Sequence, residues 1–374
     1  MIWSRVGVAL GLVLGLSGCS GDSADTPQPP EAVVSQSSKS GPVPRDLPVA
    51  LPAVRTFATG DDLVIDLGEA SSAPFVEEAP VEAGMLLAQL SLFSSDPEYT
   101  TIRPGQPYLM TKAGEWRRFD LSRYGFGAVP YGELSMAISS DGRQIAFADP
   151  SGLVIMTLED NTFERFTLPV HHAVALAWSP DGSTVIFKDR HPGRRPCGPM
   201  GCALDVSSGR LSPVRFHAFY SAYGSQGVVF EVKADGQQRA GQVVTHEEDR
   251  VVREAPLEYR VSTAGGPVGA RDLAFSQCKG AGTGGNPGVV VVDPVSGRLI
   301  SVLSNPLRPA CRLGALSWAT EDHLAVNDYI SGAVWMWDVP RGRVRQIAVG
   351  ATSGVNLDIA SEVMADRFRR LLSE

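Results

Sequence analysis

Two stretches whose turn aspartates lie 40 residues apart constrain the fold of this chain most: "SMAISSDGRQIAFADPSG", from Ser135, and "AWSPDGSTVIFKD", Ala177 to Asp189. Each is an apolar, strand-like run, then a turn, then a second run with β-branched and aromatic residues. In the second copy Pro180 presets φ for the turn, Asp181 hydrogen-bonds back, and Gly182 takes the positive φ. In the first the turn falls at Asp141-Gly142. Two further short strands follow each copy, "GLVIMTLED" and "TFERFTLP", then "CALDVSSG" and "RLSPVRF". Four strands in a unit of about 40 residues predict a β-propeller blade.

The same period finds weaker copies. One lies near Gly224 ("FHAFYSAYGSQGVVFEVKADG", then "AGQVVTHEEDRVVREAP"). Another lies near Gly266 ("YRVSTAGGPVGARDLAFS", then "GVVVVDPVSGRLISVLS"). A third has its turn at Glu321-Asp322 ("LGALSWATEDHLAVNDY", then "GAVWMWDVPRGRVRQIAVG"). Upstream, the stretch from Gly84 reads as an earlier blade with its turn near Asp96. That makes six units between Gly84 and Gly350. A β-sandwich predicts neither the interval nor the repeated D-x-x-x-G-R step of "DVSSGR" and "DPVSGR".

The AWSPDG…I-F pattern resembles the repeat of TolB-like propellers and, more loosely, of WD-repeat propellers. The likeness spans two blades, Leu134 to Phe216, and extends in part to the blade around Trp318. It implies a role in envelope assembly or partner scaffolding. "VWMWDV" ends like a WD repeat but has no partnering Gly-His pair.

The expected fold is therefore all-β, a six- or seven-bladed propeller over residues 51–374. "AVRTFATGDDLVIDLG" (Ala53 to Gly68) reads as an extra hairpin. If it paired with C-terminal material such as "VNLDIA", it would close the ring as a seventh blade and remove an exposed edge. The tail "SEVMADRFRRLLSE" reads as a short amphipathic helix, with Val363, Phe368, Leu371 and Leu372 apolar and Ser361 at the N-cap.

The N-terminus carries its own signals. Arg5 precedes an apolar run of 11 residues, Val6 to Leu16, too short to span a bilayer but suited to a signal peptide, residues 1–18. Leu16-Ser17-Gly18-Cys19 resembles the bacterial lipobox, in which the cysteine thiol receives a diacylglyceryl group and becomes the mature N-terminus. That resemblance implies a chain anchored to the extracytoplasmic side of a membrane through Cys19. Residues 19–50 are rich in Ser, Pro, Asp and Gly without an aromatic residue, the composition of a disordered tether. Its reach would be about 30 Å. The formal net charge is −8 and no basic tract is present, which argues against nucleic acid as a partner.

Four cysteines follow Cys19, an even number that favours disulfides in an exported chain. Cys197 and Cys202 share one glycine- and proline-rich insertion. Cys278 and Cys311 fall on the same face of neighbouring blades. The expected pairing is therefore Cys197 with Cys202 and Cys278 with Cys311. Cys197-x4-Cys202 has no nearby histidine pair or second CxxC, so a zinc site is not expected.

Catalytic motifs are scarce. A G-x-S-x-G elbow, H-E-x-x-H, a P-loop and an EF-hand loop are all missing from the sequence. The adjacent His171 and His172 point to opposite faces of a strand and do not readily share a metal. Asp149, Asp189 and Asp328 follow second strands and read as turn formers. The insertions "RHPGRRPCGPMGC" (Arg190 to Cys202) and "QCKGAGTGGNPG" (Gln277 to Gly288) both join second to third strands and so decorate one rim. Arg190, His191, Arg194 and Arg195 make that rim a candidate binding surface for an acidic partner. The function expected is a lipid-anchored envelope protein whose propeller binds or scaffolds a protein, peptide or glycan, with no cofactor. The rival is an extracytoplasmic hydrolase or lactonase with its active site in the central channel.

Overall fold

The structure is a computed structural model. It describes residues 48–50, 63–90, 106–126, 134–149, 152–168, 173–189, 197, 200–224, 228–233, 241–248, 250–257, 268–277, 288–304, 313–329, 331–350 and 355–369. Two short strands come first, β1 (Pro48–Ala50) and β2 (Leu63–Ile65), then a short helix, α1 (Leu67–Ser71). Asp66 caps that helix, its carboxylate accepting from the Gly68 amide at 2.8 Å and the Glu69 amide at 3.2 Å.

Blade 1 begins with β3 (Gly84–Leu90), β4 (Pro107–Thr111) and β5 (Trp116–Arg118). Blade 2 is β6 (Ser135–Ile138), β7 (Gln144–Asp149), β8 (Gly152–Thr157) and β9 (Thr162–Phe166). Blade 3 is β10 (Ala173–Trp178), β11 (Thr184–Asp189), β12 (Cys202–Asp205) and β13 (Arg210–Pro213). Blade 4 is β14 (Ser221–Tyr223), β15 (Val229–Lys233), β16 (Gln242–Glu247) and β17 (Arg250–Pro256). Blade 5 is β18 (Val268–Gly269), β19 (Leu273–Gln277), β20 (Gly288–Val292) and β21 (Leu299–Ser304). Blade 6 is β22 (Leu313–Trp318), β23 (His323–Asp328), β24 (Val334–Asp338) and β25 (Arg343–Gly350). The last strand, β26 (Val355–Ile359), returns to blade 1 and pairs antiparallel with β3, Asp358 opposite Leu87. Helix α2 (Ser361–Arg367) follows. Six sheets are thus found among the described residues, and the ring closes by giving blade 1 its innermost strand from the C-terminus.

Two expectations are corrected here. "VNLDIA" pairs with Gly84–Leu90, not with an N-terminal hairpin, so the described residues form six blades. Residues 53–62 of the hairpin expected over Ala53 to Gly68 lie outside the described residues; its remaining strand, β2, adds parallel to β25, and β1 adds parallel to β21. They cover the outer edges of blades 5 and 6, edges that would otherwise present unpaired backbone groups. Blade 1 is also shifted by one strand. Gly84–Leu90 is its second strand, so the stretch around Asp96 joins second to third strands and lies outside the described residues.

The turns form for local reasons. In blade 2 the Asp141 carboxylate accepts from Ser139 Oγ at 2.6 Å and the Arg143 amide at 3.0 Å, while Ser139 Oγ accepts from the Gln144 amide at 2.9 Å. Blade 3 repeats this with Asp181, Ser179, Ser183 and Thr184. The D-x-x-x-G-R steps share another device. Gly209 and Gly297 donate to the carbonyls of Asp205 and Asp293, at 2.9 and 2.8 Å, from φ of 65° and 71°.

Within a blade, the middle strands are covered on both faces by neighbouring blades. Hence "GVVVV" (Gly288–Val292) is buried throughout, while the outer strand β17 is mostly exposed. Successive side chains enter opposite seams. Val185 and Phe187 pack with Leu153 and Ile155 of blade 2, and Ile186 packs with Val229 of blade 4. Each such large apolar side chain contributes about 1.5–3 kcal/mol through burial. The apolar clusters among the described residues fall on the six seams. That between blades 3 and 4 is the smallest, built on Ile186, Val214, Phe216 and Val229.

Helix α2 packs its Met364 and Phe368 into the seam of blades 1 and 6. Its N-cap is Ala360, without a side-chain hydrogen bond, so Ser361 is the first helical residue rather than the cap. Leu371 and Leu372 lie outside the described residues. No helix among the described residues is long and apolar enough to cross a membrane.

Candidate binding channel and rim

The innermost strands, β6, β10, β14, β18, β22 and β26, surround a cavity of about 570 Å³. Small residues of the inner strands, Ala137, Ala177, Ala222, Gly269, Ala315 and Ser317, line the space beside larger ones such as Leu176, Leu316 and Leu357. Two tryptophans fasten the inner strands. Trp178 Nε1 donates to the Ala137 carbonyl of the preceding blade at 3.1 Å, and Trp318 Nε1 donates to Val268 of its preceding blade at 3.2 Å. Both rings also line the cavity.

Asp358 is the one charged side chain of this described lining. Its carboxylate accepts from the Ile138 amide at 2.7 Å. Burial in the channel wall pushes its pKa up to about 6, against the pull of the Ile138 and Ile359 amides. The sequence reading passed over this residue, although a signal for it exists. "NLDIASE" (Asn356–Glu362) repeats the pattern of "ALAWSPD" and "ALSWATE", and Glu362 lies 41 residues after Glu321. At the position held by Ala137, Ala177 and Ser317, the closing strand carries aspartate.

On the rim, Cys197 and Cys202 are disulfide-bonded with a Cα separation of 5.1 Å, and both are buried in the seam of blades 2 and 3. The flanking strands place 190–201 between β11 and β12, and 278–287 between β19 and β20. Arg190, His191, Arg194, Arg195, Cys278 and Cys311 lie outside the described residues, as do Cys19, His171 and His172. Asp328 is buried at the end of β23. It accepts from the Ser331 amide at 3.4 Å, and its own amide donates to the Ala333 carbonyl at 2.9 Å, so it forms a turn. The side chains of Asp149 and Asp189 are not among the described ones.

A second polar group was also missed by sequence reading. His246 and Glu231 are both buried on adjacent strands of blade 4, Nε2 to Oε2 at 3.0 Å. Glu231 Oε1 accepts from the His217 amide at 3.1 Å, and Lys188 Nζ lies 3.0 Å from His217 Nε2. Burial opposes ionisation of Glu231, yet the His246 and His217 hydrogen bonds and the Lys233 charge bring its pKa below the usual value. Burial, then the Lys188 charge, lower that of His217. Val229 opposite His246 and Glu231 opposite Val244 set the register, but no sequence motif marks this cross-strand pair. His323 forms part of a turn, its Nδ1 2.9 Å from Thr320 Oγ1. No cluster of three or more metal-binding side chains occurs among the described residues.

No family model and no curated protein matches the chain. Among solved structures, TolB from Acinetobacter baumannii is similar at 12% identity and a TM-score of 0.45, over 75% of this chain and 68% of that one. A chain of the nidogen/laminin complex is similar at 11% and 0.43, over 74% and 98%. A putative TolB from Agrobacterium tumefaciens is similar at 14% and 0.41, over 60% and 89%. The six sheets, rather than these likenesses, establish the propeller.

Proposed function

We propose that this chain is an extracytoplasmic lipoprotein, held at a bacterial membrane by a lipidated Cys19, whose propeller binds or scaffolds a protein, peptide or glycan. The observation that carries the binding part is the channel itself. Six inner strands converge on one cavity, and its described wall of apolar and aromatic side chains and serine hydroxyls, with a single carboxylate, is a surface for recognition. The anchoring part rests on the lipobox-like Leu16-Ser17-Gly18-Cys19 and the apolar run before it. The arginine-bearing insertion after β11 would add a second contact surface at the rim.

Two experiments test this reading. Cys19→Ser is expected to shift the protein from the membrane fraction to a soluble or unprocessed form; unchanged membrane association after signal cleavage contradicts the anchor. A photo-crosslinking residue placed at Ala177 is expected to trap a partner in cells. Absence of any adduct, together with ester turnover dependent on a stoichiometric bound metal, would favour the hydrolase reading instead.

A further inference from the structure

We propose that the channel selects a slender cationic ligand, a primary ammonium or guanidinium on an aliphatic arm, with Asp358 as its counter-ion. The inference rests on the channel being the binding site. Its first support is placement: Asp358 is half-buried and lines a cavity of about 570 Å³, space that a ligand can occupy. The second is isolation. The shift in its titration has desolvation as its main cause and no charged partner among its causes.

The elements around Asp358 bring no second charged side chain to the described lining. Ile138 of β6 offers a backbone amide, Leu87 of β3 is apolar, and the nearby channel-facing residue of β22 is Ser317. Glu362 on α2 accepts from Ser140 Oγ at 3.1 Å. Tyr223 and Tyr329 are the other titratable side chains of the described lining. A carboxylate held at the edge of water without a cation is costly, and a cationic ligand removes that cost. The third support is the repeat. Three other blades place alanine or serine at this position, so propeller geometry does not require the acid. Apolar side chains such as Ile138, Leu357 and Ile359 lining the channel beside one carboxylate suit an aliphatic arm that ends in a charge.

The test uses the full mature chain and reads the fluorescence of Trp178 and Trp318, which line the channel. The probes are hexylammonium against hexanol, and acetyl-Ala-Lys-Ala-amide against its norleucine counterpart. At pH 7.5 at least one cationic probe should bind about tenfold or more tightly than its neutral partner. Asp358→Asn should abolish that preference, while Asp358→Glu retains it. Acidification to pH 5 should weaken the wild type about tenfold. Binding of hexylammonium identifies a free amine as sufficient; binding of the lysine peptide alone identifies a side-chain arm. Equal binding of lysine and norleucine peptides overturns the cationic inference and leaves the channel as a peptide site. No binding of any probe at millimolar concentration overturns both.

Discussion

The carboxylate of Asp358 accepts a hydrogen bond from the Ile138 amide at 2.7 Å, so the last strand of the chain is tied to the blade after the one it completes. The ring is therefore closed twice at one place, by the β26–β3 ladder and by this bond.

Asp358 also sets a pH dependence. Its folded pKa is raised to about 6, so the folded state disfavours the charged form. That cost is present in full above pH 6 and fades as pH falls toward the ordinary aspartate value. Asp358→Asn keeps an oxygen for the Ile138 amide and should stabilise the protein at pH 7.5 by up to about 3 kcal/mol. The gain should vanish near pH 4. Urea unfolding at the two pH values checks this, and a destabilised variant at pH 7.5 would refute the buried-charge account.

Two glycines in equivalent turns should respond differently to alanine. Gly142 and Gly182 have φ of 73° and 69°, so both substitutions strain the backbone, by about 1–2 kcal/mol. A Cβ on Gly142 would additionally lie 2.1 Å from the Gly84 carbonyl and 2.8 Å from Val363. At Gly182 the nearest atom is Gln144 Oε1 at 3.6 Å. Gly142 O also accepts from the Gly84 amide at 2.8 Å, next to the closing strand. Thermal unfolding should show Gly142→Ala at least twice as costly as Gly182→Ala; equal costs would contradict the packing of α2 on this turn.

In the seam of blades 3 and 4, Glu231→Ala leaves the buried His246 ring and the His217 amide without their acceptor. The expected loss is roughly 3 kcal/mol. Glu231 has a lowered folded pKa, so its contribution is present above the ordinary glutamate value and is lost as pH falls through the folded one. His217, also lowered, works the same way: it is held neutral, and acid below its ordinary value begins to charge it at a cost. Acid unfolding should therefore be less steep in Glu231→Gln than in wild type. An unchanged acid limb would remove this group from the account.

The propeller was legible because its turns are written locally: Ser-x-Asp-Gly and Asp-x-x-x-Gly-Arg each close a turn with their own side chains. Closure was not legible in the same way. It depends on pairing residues 84–90 with residues 355–359, and the closing strand lacks the Asp-Gly turn that marked blades 2 and 3. The outer strands β1 and β2 are three residues long, too short for periodicity to register. Asp358 needed the repeat aligned through the tail before it stood out from Ala137, Ala177 and Ser317. Glu231 and His246 meet only through strand register.

The cysteines provide a mapping test. Cys197→Ser with Cys202→Ser opens a very short loop and should cost about 2 kcal/mol on the chain-entropy account. Cys278 directly follows β19, and Cys311 lies two residues before β22, an adjacent strand in the ring. Non-reducing peptide mapping of exported protein should recover a 278–311 link beside the 197–202 one. A 202–278 or 197–311 peptide would contradict this order of blades.

Ring closure by the C-terminal strand is the central claim, and amide hydrogen exchange tests it most directly. In the full chain, Gly84–Leu90 and Val355–Ile359 should be protected together, because each is the other's ladder partner. A chain ending at Gly350 should lose protection across Gly84–Leu90, and the loss should spread through blades 1 and 2. Retained protection of Gly84–Leu90 in that truncated chain would contradict the account.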